Sequence, residues 1–349
     1  MKLKKVLGTL LAVSMITSLV ACGGTETSVK PDGGAAAPKD VITMTWAHTT
    51  AETTAKHNGL LKFKELIEAS SNGKIKVEVY PSGQLGTDRS VFEDIQNGSI
   101  TGMVCNPAVE VSFVPSANIF DIPFVYDDME HGRTVLADPD FIKAINAEYE
   151  KANIRLLGVT AQGFRNLTAN NQISSVDQLK GVKIRTMENV YHIELWKSLG
   201  ANPTPTSFNE LYTALQQGTV DAQENPIELI HSQKLYEQQK FIMNTKHIIQ
   251  SDAWTMSKTA YDSLSDDLKK LVDEAAAEAM KYYHEYGDKT DVGNVKTIED
   301  FGTKIVDVPE ETLVQMKEIA APVYNSIKET CAPSVYEAFF NAVEKHKAN

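Results

Sequence analysis

Apolar and polar positions follow a strand, helix, strand order over the first part of the folded chain. Residues 41–48 (VITMTWAH) form an apolar run typical of a buried strand, and residues 60–70 (LLKFKELIEAS) carry apolar side chains at helical spacing. Residues 72–81 (NGKIKVEVYP) alternate as a strand does. Residues 87–98 predict a helix that begins at Thr87 or Asp88 and ends at Gly98, and residues 99–105 predict the next strand.

The same alternation returns further along the chain. Residues 153–160 and 182–186 predict strands, and residues 191–200 and 207–218 predict helices. From Ser265 to about Val295 the apolar residues lie on one stripe, which predicts a helix about 45 Å long. Because such a helix is longer than one small domain, we expect it to lie across two. The pattern therefore predicts an α/β protein with two units.

The N-terminal segment is predicted to be a targeting signal. Residues 1–21 combine a basic start (MKLKK) with an apolar stretch too short to span a bilayer, as in a signal peptide. The sequence LVAC, which ends at Cys22, resembles a bacterial lipobox, and this resemblance implies that Cys22 is lipidated. Residues 22–40 lack apolar periodicity, so we expect a flexible tether. We expect the protein outside the cytoplasm, in contact with the cell membrane only through its lipid anchor.

Composition and charge exclude several classes of function. The net charge of -12 argues against nucleic acid and against a membrane-surface patch, because both need a basic face. The eight histidines are dispersed, and no P-loop, dinucleotide-binding or nucleophile-elbow motif is present. The sequence therefore predicts no catalytic residue, no metal site and no cofactor. Cys105 and Cys331 are expected to be buried thiols, and whether they pair is left open.

Three segments carry a family resemblance. Residues 73–100, 163–189 and 200–230 resemble the solute-binding proteins of tripartite ATP-independent periplasmic (TRAP) transporters, of the C4-dicarboxylate-binding (DctP) type. The resemblance implies a two-lobed periplasmic-binding-protein-like fold, with a ligand cleft between the lobes and a long helix spanning both. We expect lobe I to comprise residues 41–162 and 251–290, and lobe II residues 163–250 and 291–349. The implied partners are a small-molecule carboxylate and the small and large permease subunits, and we expect a monomer.

The resemblance also implies a set of ligand contacts. Arg185, in the segment KIR, would pair with the ligand carboxylate, and Arg165, in the segment GFR, would lie in the same cleft. A guanidinium suits this task because its paired N–H donors fit both carboxylate oxygens. Asn225 and Phe208 match further pocket positions. The positions of lobe I, called here the lobe I set, are His48, Thr49, Glu52, Asp88 and Asn106.

Structural roles remain open for the same residues. A strand arginine often serves in an ion pair, an amide often braces a turn, and an aromatic ring often fills a core. His48 could equally be a satisfied buried residue, and Asp88 could be the N-cap of its helix.

The charges of these groups bear on the ligand. In the family pattern both arginines approach one end of the ligand, and the lobe I set offers the other end hydroxyl, amide and carboxylate groups without a fixed cation. Carboxylates there would repel a second anion. We therefore favour a sugar acid such as a hexuronate over a C4-dicarboxylate or a simple hydroxy or keto acid. A sensor that presents its ligand to a receptor and a secreted enzyme are the alternative classes.

Overall fold

The computed structural model describes residues 41–347 of the chain. The predicted signal peptide (1–21), the tether (22–40) and Cys22 lie outside these residues. Strands and helices alternate through the described part, which confirms the α/β class. The strands β1 to β9 are Ile42–Ala47, Ile75–Tyr80, Gly102–Cys105, Ile154–Ala169, Lys183–Thr186, Asn202–Pro205, Ala222–Asn225, Phe241–Ser257 and Lys304–Asp307.

Helices cover the sheet and complete the fold. The helices α1 to α12 are Ala55–Ser70, Asp88–Asn97, Met129–Leu136, Pro139–Lys151, Val190–Ser198, Leu211–Gln216, Ile227–Ser232, Lys258–Asp262, Asp266–Phe301, Glu310–Ile319, Ala321–Thr330 and Pro333–Lys345.

The strands form one sheet with two parallel flanks. Its order is β2-β1-β3-β8-β4-β7-β5-β6, with β9 paired to β8. β1 pairs in parallel with β2 and β3 on one flank, and β5 pairs in parallel with β6 and β7 on the other. The antiparallel strands β4 and β8 are the two longest and join the flanks. The predicted lobe boundaries at residues 162–163 and 250–251 fall inside these two strands, so the backbone ladder continues across them.

The register of β4 against β8 shifts between Ala161 and Phe164. Gly163 lies in this irregular stretch with φ +127°, a conformation that side chains with a Cβ rarely adopt. The long pair is therefore locally bent beside the predicted boundary.

Capping residues set several helix ends as the sequence predicts. Thr87 caps α2 by accepting from the Ser90 amide, and Gly98 ends it in the left-handed conformation. Asp88 is thus the first residue of α2 and not its cap. The helix predicted over 207–218 is wrong in its first turn, where Phe208–Glu210 forms a 3-10 turn before α6.

The long helix α9 has 36 residues, so it extends about 54 Å. Ser265 caps it, and it ends at Phe301, six residues beyond the predicted end near Val295, with Gly302 as its C-cap. Its first half packs into a core with α1, β1 and β2, while Ile298 packs into a second core with α6 and α7. The helix therefore contacts both sides of the fold, as predicted.

Two further observations concern the described residues as a whole. Cys105 and Cys331 are both free and buried. No helix between residues 41 and 347 is at once long and apolar enough to cross a membrane.

Candidate functional site

A cavity opens where the parallel strands end. Its empty space is about 500 Å³, including its opening to solvent. Loops that follow β1, β3, β5 and β6 converge there, as ligand sites commonly do at the carboxyl ends of parallel strands. The lining residues are Thr49, Thr50, Lys56, Thr87, Asp88, Asn106, Val109, Arg165, Arg185, Met187, Glu188, Thr206, Ser207, Phe208, Asn225, Leu229 and Gln250.

Arg185 presents a free guanidinium nitrogen at this cavity. Its Nε and Nη2 donate to the Thr206 carbonyl at 2.9 and 2.6 Å, which fixes the plane of the group. Its Nη1 is buried and has no hydrogen-bond partner. Burial lowers the pKa of Arg185 to about 10, so the side chain stays charged at neutral pH. A buried cation held by a neutral carbonyl is suited to an incoming anion.

Arg165 lies at the same cavity but is already paired. Its Nε and Nη2 donate to the two carboxylate oxygens of Glu224 at 2.5 and 2.8 Å, and Nη1 donates to Gln250. Both ionic side chains are essentially buried, with 1% and 0% exposure. Arg165 therefore has the structural ion pair that was left open from sequence, and its remaining capacity for a ligand is small.

Glu224 is fixed by two imidazoles besides Arg165. His247 Nε2 lies 3.0 Å from one carboxylate oxygen, and His192 Nδ1 lies 3.8 Å from the other. Burial alone would raise the pKa of Glu224, but Arg165 and the two imidazoles lower it well below its usual range. Burial also opposes the charge of His192, but Asp121 raises its pKa to about 9. The ion pair beneath the cavity is therefore stable over the physiological pH range.

The opposite wall carries a cation that the sequence reasoning missed. Lys56, in the first turn of α1, lines the cavity, and its Nζ lies 3.1 Å from Asp252. Burial acts to lower the pKa of Lys56, but Asp252 and Asp88 raise it above its ordinary value. The expectation of a wall without a fixed cation is thus wrong. A lysine in the first turn of a helix opposes the helix dipole, and this unfavourable placement could have drawn attention to it.

Three members of the lobe I set line the cavity. Thr49 donates to both oxygens of Asp88, at 2.9 and 3.0 Å. Burial raises the pKa of Asp88, although Lys56 lowers it in part. Asn106 uses its oxygen to accept from the Ala108 amide, which leaves its Nδ2 as a donor. This wall therefore offers both donors and acceptors.

The other two members of the set lie outside the cavity lining. His48 is buried, with its ring nitrogens 3.0 Å from Thr50 Oγ1 and from His57. Burial, then Lys56 and His57, lower the pKa of His48 to about 2, so it is neutral. Glu52 is exposed to solvent. His48 is thus a satisfied buried residue, and the structure does not bring Glu52 to the site.

The remaining predicted residues do line the cavity. Asn225 ends β7, and its Nδ2 donates to Gln223 at 2.5 Å. Phe208 is half-buried at the edge of the cavity, in the 3-10 turn after β6. Gln250, Thr206 and Met187 also line it but were not predicted: Gln250 lies outside the three segments that carry the resemblance, and Thr206 and Met187 were not singled out within them. Between residues 41 and 347 no group of three or more metal-ligating side chains is close enough to hold an ion.

Comparisons with known proteins agree with one another. The model of the family "Bacterial extracellular solute-binding protein, family 7" (DctP) matches residues 46–330. The sialic acid-binding periplasmic protein SiaP of Vibrio cholerae is 30% identical over 77% of this chain and 83% of its own length. The C4-dicarboxylate-binding periplasmic protein DctP of Rhodobacter capsulatus is 29% identical over 82% of this chain and 87% of its own.

A solved structure extends the similarity to the fold. The sugar acid binding protein DctPAm from Advenella mimigardefordensis, in complex with galactonate, superposes with a TM-score of 0.84 at 28% identity. The match covers 88% of this chain and 99% of that protein.

Proposed function

The chain belongs to family 7 of the bacterial extracellular solute-binding proteins, and from this premise we propose that it captures a sugar acid and delivers it to a TRAP permease. Members of this family bind solutes, so the chain is a binding protein and not an enzyme. The ligand, the permease subunits and the anchor are the parts of the proposal that go beyond family membership.

One observation carries the proposal of an acidic ligand. Arg185 Nη1 is buried, charged and without a partner at the cavity. Leaving such a group unpaired costs about 1 to 3 kcal/mol, and more for a charge, so a partner that arrives with the ligand recovers this energy. A carboxylate is the organic group that fits the two N–H bonds of Nη1 together with the second N–H of Nη2.

The opposite wall favours hydroxyl groups over a second carboxylate. Asp252 compensates the charge of Lys56, while Asp88 adds a carboxylate that faces the cavity. A sugar hydroxyl can donate to Asp88 and accept from Lys56 or Asn106, because it is both donor and acceptor. The relatives that bind sialic acid and galactonate support a polyhydroxylated acid.

Lys56 also supports the alternative ligand. A C4-dicarboxylate could place one end on Arg185 and the other on Lys56, provided that Asp88 is protonated or turned away. The relative named as a C4-dicarboxylate-binding protein supports this alternative. A simple hydroxy or keto acid is the other alternative ligand. A sensor that presents the same ligand would share this site, and adjacent permease genes would distinguish transport from sensing.

A thermal-shift screen tests the ligand class. D-Galacturonate, D-galactonate, succinate and malate are compared at matched concentration, with galactitol as the control that lacks a carboxylate. A ligand at 100 times its Kd adds about 2.7 kcal/mol to stability. We expect the two sugar acids to stabilise the protein and galactitol to leave it unchanged. Strong stabilisation by succinate or malate alone would overturn the sugar-acid assignment.

The anchor is tested on protein from the native host. We propose that Cys22 carries the lipid and holds the protein at the cell membrane, on the strength of the LVAC sequence. Mass spectrometry of the mature N-terminus should find a lipidated Cys22. An unmodified N-terminal residue at any other position would contradict the anchor without affecting the ligand proposal.

A further inference from the structure

Glu228 links the two flanks of the sheet beside the cavity. It lies in α7, directly after β7, whereas α1 follows β1. The strands β3, β8 and β4 separate β1 from β7 in the sheet. A contact between α7 and the start of α1 therefore bridges the segments that we predict to be lobe II and lobe I.

The contact is a hydrogen bond to the first amide of α1. Glu228 Oε1 accepts from the backbone N–H of Ala55 at 2.7 Å. Both residues are buried, with 2% and 0% exposure. The second oxygen, Oε2, is buried and has no partner. A buried glutamate with one orphan oxygen costs free energy, so this arrangement calls for a role beyond packing.

The next residue of α1 explains what the contact achieves. Lys56 follows Ala55 and lines the cavity. We propose that Glu228 is a positioning residue that draws the N-terminus of α1 against α7 and so holds Lys56 in the wall of the closed ligand site. The inference rests on the proposed function. Its physical basis is that the first amides of a helix attract an oxygen acceptor, and α1 is 16 residues long.

The groups around Glu228 make the closed arrangement of α1 and α7 dependent on pH. Burial raises the pKa of Glu228 to about 8, the Ala55 amide acts in the opposite direction, and Asp252 and Asp291 raise it further. Lys56 lowers it. The tyrosines that face it from α9 are Tyr283 and Tyr286.

The direction of the pH dependence follows from the pKa of Glu228 in the open and the closed conformation. When the lobes open, Glu228 is hydrated and its pKa returns towards 4.5, whereas the closed form holds it near 8. The closed form therefore binds the proton more tightly. Ionisation of Glu228 adds nothing to the free energy of closure below about pH 4.5, and it makes closure progressively less favourable as the pH rises to about 8. Because the ligand binds the closed form, its apparent Kd rises over the same window.

The test measures D-galacturonate affinity from pH 5 to pH 8.5. For the wild type, the apparent Kd should rise by up to about tenfold per pH unit, the limit for one linked proton. Glu228→Gln keeps an acceptor for Ala55 without a titrating group, so its profile should be flatter than that of the wild type. Glu228→Ala removes the acceptor and should bind about 5- to 10-fold more weakly at pH 5.5. Glu65→Gln, at an exposed site of α1, is the matched control and should follow the wild type.

A ligand-free measurement separates this inference from the proposed function. Hydrogen exchange at pH 6 should be faster for the first turn of α1 in Glu228→Ala than in the wild type, and unchanged in Glu65→Gln. Exchange equal to that of the wild type in Glu228→Ala would overturn the positioning role, whether or not galacturonate binds. Parallel pH profiles for the wild type and Glu228→Gln would overturn the proton linkage. Failure of every acid to bind the wild type would instead reject the proposed function.

Discussion

Arg185→Lys should separate ligand binding from stability. The guanidinium uses Nε and one N–H of Nη2 on the Thr206 carbonyl, and both N–H groups of Nη1 are without partners. Lysine keeps the charge, but its single ammonium cannot hold Thr206 and also grip both oxygens of a carboxylate. Losing one charge-assisted hydrogen bond costs about 1.5 to 3 kcal/mol, and a strained Thr206 contact adds about 1 kcal/mol.

The expected loss in binding is therefore about 2 to 4 kcal/mol, which is a Kd about 30- to 700-fold higher. Isothermal titration calorimetry at pH 7, with the most strongly stabilising acid of the screen, measures this directly. The free energy of unfolding without ligand should fall by no more than about 1 kcal/mol, the contribution of the Thr206 contact, because Arg185 forms no ion pair closer than 4 Å among the described residues. A Kd within threefold of the wild type would remove Arg185 from the site.

Arg165→Lys is the matched comparison on β4, which β7 separates from β5 in the sheet. It disrupts a buried pair in which Arg165 meets both oxygens of Glu224. We expect a loss of about 2 to 3 kcal/mol in the free energy of unfolding, measured by denaturant titration, and a smaller loss in affinity than for Arg185→Lys. If Arg165→Lys impaired binding more than stability, the assignment of the two arginines would be reversed.

Three further outcomes are expected. Lys56→Met should weaken a C4-dicarboxylate more than a hexuronate in calorimetry, and equal losses for both would mean that Lys56 does not discriminate between them. Phe208→Ala should cost about 1 kcal/mol of binding through lost contact with the ligand, while Glu52→Ala at its exposed site should cost nothing. X-ray scattering should show a smaller radius of gyration at saturating ligand, because contacts from both predicted lobes stabilise the closed form.

Local signals in the sequence were sufficient for the helices α1, α2, α5 and α9 and for the strands β1, β2, β3 and β5. Caps such as Thr87 and Ser265 start helices through nearby groups, so their effect is readable from the sequence, whereas the end of α9 at Gly302 was not predicted. β8 was not predicted, although it is a central strand of 17 residues. Its middle carries His247, Gln250 and Asp252, which are buried and each meet a partner on another element, namely Glu224, Arg165 and Lys56. A strand of this kind lacks the alternation by which strands are recognised.

In the candidate site, too, some features could be predicted from the sequence and others could not. Arg185 could be predicted because it lies in a motif, but its free nitrogen depends on the Thr206 carbonyl, which lies 21 residues away, directly after β6. The pairing of Arg165 with Glu224 depends on the register of β4 against β7, which brings together residues 59 positions apart. Lys56 and Asp252 are further apart still, and no motif contains either. Register and distant pairing follow from tertiary packing, which a single sequence does not specify.

The bent pair of β4 and β8 has a mechanical consequence. Its ladder runs from one flank to the other with three register shifts, one of them beside Gly163, so opening of the cleft would bend two hydrogen-bonded strands and would not turn a free hinge. The force that returns the cleft to its preferred angle would then come from these two strands, and the backbone at Gly163 would determine how stiff the pair is. Alanine at position 163 would be strained at φ +127°. It would therefore change the preferred angle between the two ends of the strand pair, and with it the fraction of ligand-free molecules that are open.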